Sequence, residues 1–166
     1  MKKIYVDTSA FFKVFVEEEG SKVVERLIRL AREKLIQIVL SDWVINESIA
    51  LINENNRKGK INSTETKHIL SELINMIRIE IQHENFTFYS TNEMIVIGSR
   101  FDIQDYNISA SNALHVFIAS ASDCNYFLSA DKQLIEQLTT GSHKLITYNI
   151  IINEDVKRMF NDIESS

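Results

Sequence analysis

Two carboxylates stand where a buried strand would deliver them to solvent. Asp7 follows the apolar run Ile4-Tyr5-Val6 and precedes Thr8-Ser9; Asp131 follows Tyr126-Phe127-Leu128-Ser129-Ala130. An apolar run that ends on an acid is how a parallel sheet brings side chains to its carboxyl edge. Open α/β sheets bind their ligands in the crevice outside that edge. Two acids gathered there point to a divalent cation, because hard cations prefer anionic oxygen ligands. Taken singly, each acid has a plainer reading as the N-cap of the helix that follows it.

Two more positions join them. Glu47 lies within Trp43-Val44-Ile45-Asn46-Glu47-Ser48-Ile49, surrounded by apolar residues. An unpaired acid there is costly, so Glu47 is expected at a helix edge facing other polar groups. Asn112 opens the helical run Ser111-Asn112-Ala113-Leu114-His115-Val116-Phe117. His115, one turn later, could share that face as a general base; its plainer reading is a packed, hydrogen-bonded helix residue. The turn Arg57-Lys58-Gly59-Lys60 reads as a solvated loop, with a phosphate-contacting rim as the functional alternative.

The elements that must carry these side chains follow from periodicity and capping. Strands are expected at 3–7, 36–40, 86–89, 125–129 and 144–148. Helices are expected at 9–16, 21–34, 42–53, 63–80, about 91–104, about 112–122, 131–138 and 154–163. Ser41 is a good N-cap for the third of these. Asn62 with Glu65, and Ser90 with Glu93, have capping-box spacing, and either Ser109 or Ser111 caps the helix that carries Asn112. Alternating strands and helices predict a parallel, roughly five-stranded sheet covered on both faces, a three-layer α/β/α arrangement. Two successive helices over 42–80 predict a helical hairpin beside it.

The chain has 166 residues, 45% of them apolar and 25% charged, which suits a single globular domain over 1–166. The formal net charge of −5 argues against attachment to nucleic acid by bulk positive charge, but not against a nuclease whose acids surround a metal. No apolar stretch approaches bilayer-spanning length, and the first residues lack the pattern of a signal peptide. The one cysteine, Cys124, reads as a small buried side chain, and the expected setting is a reducing cytoplasm with no membrane association.

With these residues in order, the chain resembles the PIN-domain family, the nuclease fold found in VapC-type toxins of toxin–antitoxin pairs. The resemblance runs through Val6-Asp7-Thr8-Ser9-Ala10, the Glu47 helix, Ser111-Asn112-Ala113-Leu114-His115 and Leu128-Ser129-Ala130-Asp131, and covers nearly the whole chain. It implies a metal-dependent endoribonuclease using one or two Mg²⁺ or Mn²⁺ ions. Asp7, Glu47 and Asp131 fall on metal-binding acids, and Ser129 and Thr8 on supporting hydroxyls. It also implies an RNA substrate, a small antitoxin partner and a homodimer. Asn112 departs from the pattern, which has aspartate there, so the site holds three negative charges where four are expected. A weakened nuclease, a non-catalytic RNA- or protein-binding relative, or a residue changed to silence a toxic enzyme would each account for it. A phosphotransferase with Asp7 as nucleophile is a further rival, but it requires a second aspartate where Ser9 stands.

Overall fold

A computed structural model describes residues 1–141 and 144–165. Five parallel strands form one sheet in the order β3-β2-β1-β4-β5: β1 is Lys2–Val6, β2 Ile36–Ser41, β3 Phe86–Tyr89, β4 Tyr126–Ser129 and β5 Ile146–Asn149. Helices complete a three-layer α/β/α architecture. β1 and β4 run at the centre, in register through Ile4 with Tyr126 and Val6 with Leu128. Their side chains from Ile4 to Val6 and from Tyr126 to Leu128 are all buried, as both-face coverage requires. Tyr5 and Phe127 stack nearly parallel, ring centres 5.7 Å apart.

The connections run outward from β1 through β2 to β3, then return to β4 beside β1. The strand order therefore reverses between β1 and β4. The Asp7 N–H donates to the Leu128 carbonyl at 3.0 Å, so the two chains leave the sheet side by side at that reversal.

The first helix is shorter than the phenylalanine spacing predicts. α1 spans Thr8–Phe11 and tightens into a 3₁₀ turn at Phe12–Val14. This winding sets Phe11 edge-on to both Phe15 and Phe86 and buries Phe11 and Phe12. α2 is Ser21–Arg32. Gly20 before it has φ +93°, and a Cβ there would meet Lys13, Ile150 and Ile151 within 3.3 Å, so glycine is required.

The expected helical hairpin is present. α3, Asp42–Arg57, is capped by Ser41, and α4, Ser63–Gln82, opens with the Asn62–Glu65 capping box. The helix expected from Ser90 is corrected in two respects. Its N-cap is Asn92, whose side chain accepts from the Ile95 N–H at 3.1 Å. It also breaks at Ser99 into α5, Glu93–Gly98, and α6, Arg100–Tyr106. The Phe117 ring presses against Gly98, where a Cβ would lie 2.2 Å away. α7 is Ala110–Ala121, α8 Lys132–Thr140 and α9 Asn153–Glu164. β5 starts and ends slightly later than the sequence suggests. Cys124 is half-buried, not buried as expected; burial pushes its thiol up to about 11, against a weaker opposing bond to Ser122, so it stays protonated at neutral pH. Among the described residues no helix is long and apolar enough to cross a membrane.

Candidate active site

Asp7 and Asp131 flank the point where strand order reverses, and each caps the helix that follows it. Asp7 Oδ1 accepts from the Ala10 N–H at 2.9 Å, and Asp131 Oδ1 from the Leu134 N–H at 3.1 Å. The plain reading of both residues is therefore correct, and it is compatible with the other one. The cap aims each carboxylate across the mouth of the sheet, where both line one pocket of about 320 Å³ with Glu47, Asn112, His115 and Thr8.

Ser9 ties the two acidic loops together. Its hydroxyl donates to Asp7 Oδ1 at 2.8 Å, accepts from the Ala130 N–H at 2.8 Å and lies 3.1 Å from Ser129 Oγ. Ser129 is fully buried beneath the pocket, and its Oγ accepts from the Asp131 N–H at 2.9 Å. Serine at both positions supplies small groups that can donate and accept within one buried cluster.

Glu47 projects from α3 and is held by three donors. Ser111 donates to Oε1, Thr8 donates to Oε2, and His115 Nε2 lies 2.9 Å from Oε2. Because a carboxylate only accepts, Nε2 carries the hydrogen that faces it. On the other side of the ring, Nδ1 lies 2.8 Å from the Tyr5 hydroxyl, which is 2.8 Å from Ser41 Oγ. Trp43 Nε1 donates to Ser111 Oγ at 2.8 Å, extending the network along α3.

Buried Asp7 and half-buried Glu47 are shifted in opposite directions. Burial raises the Asp7 carboxyl above its ordinary value; His115, Ser129, Ala10 and Ser9 only partly offset this. Burial also acts upward on Glu47, but its bond to His115, the charge interaction with that ring, and the Ser111 and Thr8 hydroxyls outweigh it and hold Glu47 at about 2.

Asn112 occupies the first turn of α7, its N–H bonded to the Ser109 cap at 3.2 Å, with its side chain lining the pocket. Ser111, the other cap candidate, is engaged with Glu47 instead. The basic residues are set apart: Arg57, Lys58 and Lys60 are exposed at the tip of the α3–α4 hairpin, outside the pocket lining. Lys58 pairs at 2.5 Å with Glu54, which does line the pocket. No lysine or arginine lines it among the described residues, so it is electronegative. A larger hollow of about 520 Å³ lies between α8, β5 and α9. Its charges are internally balanced, Lys132 against Glu136 and Arg158 against Asp155.

Sequence reasoning assigned no site role to Ser9, Ser111, Tyr5, Ser41, Trp43 or Glu54. Glu54 carried a signal, lying two helical turns after Glu47. Ser9, Ser41 and Trp43 are near Asp7 or Glu47 in the chain, whereas Ser111 and Tyr5 are brought to Glu47 and His115 by the fold.

A divalent cation makes specific demands on such a donor set. Among the described residues no three His, Cys, Asp or Glu side chains form a group placed to hold a metal ion. Mg²⁺, however, seldom takes a cage made only of protein. It keeps several waters and is typically held by one or two carboxylates together with substrate phosphates. Two carboxylates at one mouth, an adjacent amide oxygen, a third acid fixed nearby and a buried Asp7 with under-compensated charge fit that kind of site.

No protein-family model matches the chain, and no curated protein does. Among solved structures, the chain is similar to PAE2754 from Pyrobaculum aerophilum. The two superpose with a TM-score of 0.60 over 99% of this chain and 97% of that one, at 13% identity. At that identity the likeness is one of fold.

Proposed function

We propose that this chain is a metal-dependent endoribonuclease of the PIN type, the toxin of a toxin–antitoxin pair, with a site weakened at Asn112. One observation carries the reading: Asp7, Glu47, Asn112 and Asp131 line a single electronegative pocket where the strand order reverses.

In this reading Asp7 and Asp131 hold Mg²⁺ or Mn²⁺, with Glu47 as third acid and the Asn112 amide oxygen as a weak, uncharged fourth ligand. Once bound, the ion supplies Lewis acidity towards the phosphoryl group and lowers the pKa of a water. The remaining work belongs to the chain. Ser9 and Ser129 fix the loops bearing the two aspartates. The donors around Glu47 keep it ionised and oriented, so it acts as an acceptor at neutral pH. Leu51 gives the pocket an apolar wall, and Arg57, Lys58 and Lys60 contact phosphates of the RNA strand outside it. A small antitoxin and a second copy of the chain are the partners of this reading. The exposed side chains of Met94, Val96 and Phe101 on α5 and α6 offer a surface to such a copy.

The test is Mn²⁺-dependent cleavage of a structured RNA by this chain and by Asn112→Asp, each beside an Asp7→Ala control. Cleavage that is weak here, strong in Asn112→Asp and absent in the control supports the proposal. Absence of cleavage in both under every divalent metal overturns it. The second reading, a non-catalytic RNA- or protein-binding module, is favoured by the missing charge at Asn112 and then takes its place.

A further inference from the structure

We propose that His115 is a positioning residue that fixes the Glu47 carboxylate in the pocket, itself fixed from behind by Tyr5 and Ser41. It deepens the metal-site reading, on which it depends only for the identity of the ion.

Glutamate reaches the pocket on three rotatable bonds, and an unrestrained carboxylate would sample many positions. His115 removes that freedom because its ring is gripped at both nitrogens, Nε2 at 2.9 Å from Glu47 and Nδ1 at 2.8 Å from Tyr5. The grip is rigid. His115 is 2% exposed, and Tyr5 is fully buried, stacked on Phe127 and bonded to Ser41 at 2.8 Å. Burial also raises the Tyr5 hydroxyl well above its ordinary value, so it remains a donor. With Nε2–H directed at Glu47, Nδ1 faces the Tyr5 hydroxyl, and Tyr5 faces Ser41 Oγ in turn. Every group in this series has a hydrogen-bond partner. A histidine that served only core packing would not need its second nitrogen on a pocket carboxylate.

The same carboxylate is linked through Ser111 to Trp43, the only tryptophan in the sequence. Trp43 emission therefore reports on Glu47 without any activity measurement. The experiment records emission in metal-free buffer, then during Mg²⁺ titration, for the unaltered chain, Asn112→Asp, and His115→Gln, His115→Asn and Tyr5→Phe made in both backgrounds. Circular dichroism checks the fold of each. The glutamine amide reaches the place of Nε2, whereas the asparagine amide stays near Nδ1.

His115→Asn is expected to shift the metal-free emission and to weaken Mg²⁺ binding by about tenfold or more, the usual cost of losing an outer partner of a metal ligand. His115→Gln is expected to restore most of both, and Tyr5→Phe to produce a partial shift. Folded His115→Asn with unchanged emission and affinity overturns the proposal, as do equal losses in Asn and Gln. If the His115 variants do not fold, an unchanged folded Tyr5→Phe overturns it as well. Emission that follows His115 in a protein that takes up no Mg²⁺, even with Asn112→Asp, keeps the positioning role and removes the metal reading. Equal Mg²⁺ binding by every variant does the reverse.

Discussion

The hydroxyls of Ser9 and Ser129 lie 3.1 Å apart, joining the loop after β1 to the loop after β4. Ser9 is the more exacting of the two because it also serves Asp7 and the Ala130 N–H. Ser9→Ala leaves that N–H and one Asp7 oxygen short of a partner. It is expected to cost about 1–3 kcal/mol, read from urea unfolding.

Asp7 and Glu47 give opposite pH dependences. Asp7 is raised in the folded state, so its contribution is fully present below its unfolded value and is lost as pH rises through the folded one. Asp7→Asn should therefore gain stability relative to the unaltered chain as pH rises to neutrality. Mg²⁺ should narrow the gap by stabilising only the chain that binds it. Glu47 is lowered from 4.5 to about 2, so its contribution is present above 4.5 and lost as pH falls towards about 2. Glu47→Gln should be costly at neutral pH and nearly neutral at the acid end. Urea midpoints across pH check both.

Asn112→Asp puts a fifth carboxylate into a pocket already lined by Asp7, Glu47, Glu54 and Asp131. Without metal, mutual repulsion should lower the melting temperature; with Mn²⁺ the order should reverse. A gain in Mn²⁺ affinity of about tenfold, or about 1.4 kcal/mol, is expected by calorimetry.

Arg57, Lys58 and Lys60 are exposed at the hairpin tip, and Lys58 also pairs with Glu54. Arg57→Ala with Lys60→Ala should weaken RNA binding and flatten its salt dependence, by a slope of roughly one for each phosphate left without its cation. Anisotropy titrations at several KCl concentrations measure this, and an unchanged slope would remove the tip from the RNA path.

Gly98→Ala drives a methyl group into the Phe117 ring. Overpacking of this kind costs about 1–3 kcal/mol, and thermal unfolding should show it while Mg²⁺ binding stays intact.

The sheet and most helix starts were legible because their signals are local. Apolar runs marked the strands, and Ser41, Asn62 with Glu65, Asp7 and Asp131 marked helix ends. Ser90 misled because Ser-x-x-Glu spacing is also met where a better cap, Asn92, stands closer to the helix. The break at Ser99 was not legible, and the contact beside it, the Phe117 ring on Gly98, comes from another element. The site divides along the same line. Asp7 and Asp131 could be read from strand ends. The Glu47 network could not, because Thr8, Ser111, His115 and Tyr5 are far from Glu47 in the chain and reach it from other elements. Tyr5, besides, looks like any core residue of a strand.

The pairing of β1 with β4 has a consequence for synthesis. β1 leaves the ribosome before β4, and β2, β3 and the helices between them are made in the interval. Until Tyr126–Ser129 emerges, β1 keeps an open edge, and Asp7 has neither Ser129 nor Asp131 beside it. Such long-range pairings form late because the intervening chain must first be closed into a loop. A half-made chain therefore carries Asp7 and Glu47 but no pocket, and whatever chemistry the pocket performs is withheld from the ribosome that is building it.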